Sequence, residues 1–175
     1  MDKYTFTFNG IDLYTKYGIL AAKIRRRLIP KKRSRKVVVP EKSGAIDFGS
    51  DDYDESEVEI KCITLRVLTG DEIRQLAYDL SGKGEIRTFL EPDRYYVGEL
   101  FDASAIDYIG TVGNKFSLPF ICEPFAHGEQ VTENFTNNSR LQYNGTAKTP
   151  ARIIIKNTSG HTIEGLNITM RKAVN

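Results

Sequence analysis

Two adjacent runs of charge hold the residues best placed to do chemistry. Lys23, Arg25, Arg26, Arg27, Lys31, Lys32, Arg33, Arg35 and Lys36 put nine cations into 14 residues. Such a run can grip phosphate, with an affinity that falls steeply with salt. The aromatic rings that would stack on single-stranded bases are absent between residues 18 and 47. An acidic run follows at once: Asp51, Asp52, Asp54, Glu55, Glu57 and Glu59. A divalent cation is its obvious ligand, but the run fails the EF-hand pattern. It contains no glycine, and no bidentate Glu stands at the twelfth position. It reads better as the electrostatic partner of the basic run. If the two meet within one chain, the device is intramolecular. If they meet between chains, they give register and orientation to an oligomer.

The remaining reactive side chains are sparse. Cys62 and Cys122 read as small apolar core residues of a reducing compartment. His127 and His161 are too few for a metal cluster, and no CxxC or HExxH spacing occurs. No nucleophile, base and orienting group can be put together, so no catalytic residue, cofactor or metal ligand is assigned. The formal net charge is +2. It conceals an asymmetry, because residues 1–50 carry 12 basic and 4 acidic side chains. No stretch approaches the ~20 apolar residues of a membrane helix. The opening MDKYTFTFNG alternates apolar and polar residues and does not read as a secretory signal.

The elements that must carry these residues are mostly strands. Tyr4, Phe6 and Phe8 alternate with threonines, and Asn9-Gly10 is the dipeptide of a tight hairpin. Ile11 and Leu13 resume the alternation. Residues 57–68 give the longest strand signal. Its apolar phase flips between Cys62 and Ile63, which predicts a β-bulge or a strand passing between two packed sheets. One helix is predicted over about 70–81. Thr69 and Glu72 form a capping box, Ile73, Leu76, Ala77 and Leu80 make an apolar stripe, and Gly82 closes it. Further strands are expected at Ile86–Leu90, Arg94–Leu100 and Lys115–Cys122. Tyr95 and Tyr96 point to opposite faces, so one of them is core. Pro119 predicts an edge strand or a bulge. Residues 128–149 are polar, and RIIIK (152–156) and LNITM (166–170) read as two strands around the turn at 157–160. The fold class is mainly β, with packed sheets, one helix and a charged hairpin. A first domain spans 1–127, and 128–175 opens a second β domain that is cut short or leans on the first.

In their order, these segments resemble the distal tail proteins (Dit) of phages with long non-contractile tails. The likeness rests on FTFNGIDL with Tyr17-Gly18, Val38-Val39-Pro40 with Ser43-Gly44 and Phe48-Gly49, EVEIKCITL, DEIRQLAYDL, PDRYYVGEL and KFSLPFICEPF, over roughly residues 4–126. The resemblance implies a β-sandwich with one helix and a protruding β-hairpin. It implies a ring of six copies, each gripping its neighbour, that joins the tail tube to the host-adsorption apparatus. It also implies an outward-facing, galectin-like second domain, a virion location, other tail proteins as partners and DNA passing through the ring. The expected interface residues are Lys23, Arg25, Arg26, Arg27, Lys31, Lys32, Arg33, Asp51, Asp52, Asp54, Glu55 and Glu57. The rival expectation is a nucleic-acid- or glycan-binding β module.

Overall fold

The computed structural model describes residues 4–33, 36–38, 40–41, 43–47, 52–102, 105–110, 113–136, 139–158, 160–162 and 164–170. Arg35, Val39, Phe48, Gly49 and Asp51, all named above, lie outside them. Two compact units divide the chain, Met1–Phe135 and Thr136–Asn175.

The first unit opens with β1 (Phe6–Phe8) and β2 (Ile11–Asp12), paired with Phe8 opposite Ile11. Asn9 and Gly10 both take positive φ, 48° and 79°. This is the two-residue turn whose twist suits a hairpin, and it needs a residue pair that tolerates the left-handed region. The alternation then stops. A short helix, α1 (Leu13–Tyr17), follows, which the sequence reading missed. Asp12 caps it by accepting from the backbone N–H groups of Tyr14 and Thr15, and Gly18 ends it. Next come β3 (Ile19–Arg26), β4 (Lys36–Val38), β5 (Ala45–Asp47) and β6 (Ser56–Thr64). The helix α2 (Gly70–Asp79) has the predicted capping box. Glu72 N–H donates to Thr69 Oγ1 at 3.3 Å, and Thr69 N–H donates back to Glu72 Oε2 at 2.9 Å. It buries Leu76 and half-buries Ile73, while Ala77 faces out. The unit finishes with β7 (Lys83–Thr88), β8 (Arg94–Leu100), β9 (Asp107–Ile109), β10 (Gly113–Cys122) and β11 (His127–Gly128).

The main sheet runs β2-β1-β7-β8-β10-β6-β3, every pair antiparallel. It is not flat. Three inter-strand steps separate β1 from β10, about 14 Å in a flat sheet. Yet Phe8 of β1 stacks on Phe120 of β10 with ring centroids 5.7 Å apart. The sheet has therefore curled until its inner face meets itself. The ends also meet: Ala21 N–H of β3 donates to the Tyr4 carbonyl, just ahead of β1, at 2.7 Å. Phe6, Phe8, Leu13, Ile19, Ile60, Ile86 and Phe120 fill the enclosed space, all fully buried. The fold is mainly β, as expected, and a single curled sheet makes its layers.

Two local expectations are corrected. The phase change near Cys62 is neither a bulge in β6 nor a change of sheet. β6 alternates regularly from Ser56 to Thr64 and then ends, and Leu65–Val67 leads into α2. The bulge lies in its partner β3, between Ala21 and Lys23. Pro119 occupies a central strand, opposite Glu59 of β6. In an antiparallel strand a residue's N–H and C=O point the same way. The Pro119 carbonyl accepts from Phe101 N–H at 3.1 Å, on the side where β8 ends. The missing donor thus falls where no strand continues. At Gly98 of β8, by contrast, a side chain would meet Cys122 Sγ and the Ile121 carbonyl at 2.6 Å, so glycine permits the close approach of β8 to β10.

In the second unit, no helix or strand occurs among the described residues. Residues 152–156 and 166–170 are not paired as strands, and Ile154, Ile155, Leu166 and Met170 are exposed. Two short segments without a covering layer bury too little to hold a sheet. The turn between them does form a local bond, Asn157 Nδ2 to the His161 carbonyl at 2.8 Å.

Candidate functional site

Residues 27–55 leave the sheet as an arm. β3 and β6 pair down to Arg26 opposite Val58. Pairing then resumes at Lys32 opposite Tyr53, through Arg33 N–H to the Asp52 carbonyl (3.0 Å) and Asp54 N–H to the Lys31 carbonyl (2.8 Å). It resumes again at the two-stranded β4–β5 sheet, where Lys36 faces Asp47. One long hairpin therefore carries both charge runs.

The structure divides eleven of the twelve expected residues into three groups. Some are matched within the chain. Asp54 accepts from Arg33 Nε at 3.0 Å, with Lys31 Nζ at 3.5 Å. The bond from Arg33, helped by the Lys31 charge, holds the Asp54 carboxyl below its usual range. Arg26 reaches back over the sheet to clasp Glu91 through two bonds, at 2.7 and 3.0 Å, and also bonds the hydroxyl of Tyr96. Others sit at the root of the arm. Lys32 lies over the Tyr53 ring, 5.8 Å from its centroid, and Tyr53 meets Phe125 edge-on at 4.9 Å. The Asp52 carbonyl takes part in the ladder, and Glu55 lies in the field of Lys83. The third group, Lys23, Arg25, Arg27 and Glu57, is exposed and forms no ion pair among the described residues. Asp51 lies outside the described residues. Arg25, Arg26, Arg27, Glu57 and Glu59 together line a shallow surface groove.

Apolar exposure on the arm is what sequence reasoning passed over. Leu28 is 97% exposed and Ile29 70%, with Val38 at 74%. Val37 is exposed beside them. The signal was present, since Leu28 and Ile29 interrupt the run of cations and Val37 and Val38 follow it, but the charge masked it.

The other candidate groups have structural surroundings. Cys62 and Cys122 are buried free thiols, and burial pushes both pKa values up, that of Cys122 to about 12. Both stay protonated and inert at neutral pH. His127 Nε2 lies 2.9 Å from Glu123 Oε2, and its ring stacks on Tyr95. Among the described residues no three His, Cys, Asp or Glu side chains converge to hold a metal. Among the described residues no helix is long and apolar enough to cross a membrane.

With this geometry in view, the comparisons with known proteins are informative. No protein-family profile matches the chain, and no curated protein matches it in sequence. Among solved structures it is similar to SPP1 Dit (gp 19.1), described as a paradigm of the hub adsorption apparatus in phages that infect Gram-positive bacteria. The TM-score is 0.59 and the identity 25%, over 73% of this chain and 53% of that one. The chain thus spans about half the length of the solved structure it resembles, and what the two share is a Dit-like fold.

Proposed function

We propose that this chain is a structural protein of a phage tail tip. Copies of it form a ring, six by the resemblance, and the ring joins the tail tube to the host-adsorption apparatus. The observation that carries this reading is the arm: a long hairpin on a Dit-like fold, bearing exposed Leu28, Ile29, Val37 and Val38 among cations. Exposed apolar groups rimmed by charge mark a protein partner. In this reading the arm grips an identical neighbour, and other tail proteins dock on the ring. In this reading the chain performs no catalysis. The protein resides in the virion and is made in the host cytoplasm.

Native mass spectrometry of the purified chain tests the reading. A closed ring is expected, its population falling as ionic strength rises. A chain that stays monomeric at every salt and protein concentration overturns it. A second reading has its own observation. Lys23, Arg25 and Arg27 are exposed cations that form no ion pair among the described residues, and such cations can contact phosphate. Within a ring they would line the path of DNA. Alone, they would make the chain a nucleic-acid-binding module, and a monomer that shifts DNA of any sequence in a salt-dependent way would favour that.

A further inference from the structure

A ring held by arms needs an acceptor for each arm, and we infer that the acceptor is the rim formed by Glu99, Phe101, Asp102 and β9 of a neighbouring copy. The inference rests on the hub reading above. Three observations meet at this rim. The first is charge: residues 99–110 contain Glu99, Asp102 and Asp107 and no basic residue. The carboxylates of Asp102 and Asp107 form no ion pair among the described residues. The outgoing limb of the arm has the opposite character, with Arg27, Lys31, Lys32, Arg33, Arg35 and Lys36 and no acidic residue between 27 and 38. Asp54 is shared between Lys31 and Arg33, so one carboxylate answers two cations there.

The second observation is apolar exposure. Phe101 is 76% exposed and Tyr108 61%, with Ile109 exposed beside them. These rings stand next to the free carboxylates, as Val37 and Val38 stand next to Lys36. The third is the backbone. β9 pairs with β10, at Gly113–Lys115, and among the described residues its other side carries no strand. A sheet edge with unpaired N–H and C=O groups takes a further strand readily. β4 is such a strand, paired with β5 on one side only. Adding β4 of one copy to β9 of the next places a basic, aliphatic strand on an acidic, aromatic one. Both edges are then covered, and the carboxylates steer the encounter.

Cross-linking between copies tests the pairing. Chains carrying Val38→Cys are mixed with chains carrying Tyr108→Cys and oxidised, and native mass spectrometry follows assembly in parallel. The native thiols are buried, so a disulfide between the two variants reports proximity. A cross-linked heterodimer in the mixture, absent from either variant alone, is the expected result. A second measurement uses charge. Asp102→Lys with Asp107→Lys should raise the assembly midpoint by about tenfold. Adding Lys32→Glu and Lys36→Glu to the same chain should recover most of that loss. If rings form but no cross-link appears and the rim reversal moves the midpoint less than twofold, the rim assignment is overturned while the hub reading stands. If the chain does not self-associate at all, the hub reading falls and the rim falls with it.

Discussion

The curled sheet and the arm are built from similar residues under opposite rules. On the inner face of the sheet the large apolar side chains have found cover, and the charges that matter are clasped. Asp79 accepts from Tyr17 OH at 2.6 Å and Gln75 Nε2 at 2.9 Å and pairs with Lys16, tying α1 to α2. Asn114 Oδ1 accepts from Leu68 N–H at 2.8 Å and fixes the approach to α2. In the arm the aliphatic residues lie open, and the ion pairs that exist are short-range and exposed. The lesson is that the sheet covers its own apolar face within one chain and the arm does not. Arg26 marks the frontier: it is the last residue of β3, and it belongs to the sheet's account through Glu91 and Tyr96.

This contrast can be broken or sharpened by measurement. The largest effect is expected at the centre of the curl. Phe120→Ala should destabilise the folded unit by about 3–5 kcal/mol in chemical denaturation, because Phe8 loses its stacking partner and a cavity remains. Val38→Ala, the same kind of truncation on the arm, should change unfolding by no more than about 0.5 kcal/mol and act on assembly instead. Comparable losses at both positions would erase the distinction.

Asn114→Ala should cost about 1–3 kcal/mol, since it leaves the Leu68 N–H buried without an acceptor. Below this in size comes acid sensitivity. Bonds from Lys16 and Tyr17 hold the Asp79 pKa at about 2, and bonds from Arg66 and the Thr69 backbone hold that of Glu72 at about 2. Unfolded Asp and Glu titrate near about 3.9 and 4.3. Depressed values mean that the folded state binds fewer protons, so this stabilisation is present above about pH 4 and is lost as pH falls toward 2. Thermal unfolding should show that acid limb, and Asp79→Asn should flatten it. A limb of unchanged steepness would show that other carboxylates carry it.

The smallest effect separates neighbouring arginines. Arg26→Ala should cost at most about 1 kcal/mol, given the partial exposure of the pair with Glu91. Arg25→Ala and Arg27→Ala should cost nothing measurable in unfolding. Equal costs for all three would deny that Arg26 is the boundary.

What the sequence made legible was local. Asn9-Gly10, the Thr69–Glu72 box and the split between buried Tyr96 and half-buried Tyr95 each follow from neighbours a few residues away. The cap residues of α1 were equally near, Asp12 and Gly18, but the alternation of Ile11 and Leu13 outweighed them in the reading. What stayed hidden was distant. Nothing near Tyr4 announces that its carbonyl bonds Ala21, and nothing near Arg26 announces Glu91, 65 residues on. The same holds for the arm. Its charge runs were plain, but their division into matched and open residues depends on register, which a bulge between Ala21 and Lys23 resets.

The meeting of Tyr4 with Ala21 has a consequence for how copies of this chain can meet. A wide sheet with two long bare flanks would stack on its copies without limit. Here the flanks are drawn together, and little is left for strangers to add to. The edges still open to a further strand are short ones, at β9 and in the β4–β5 pair.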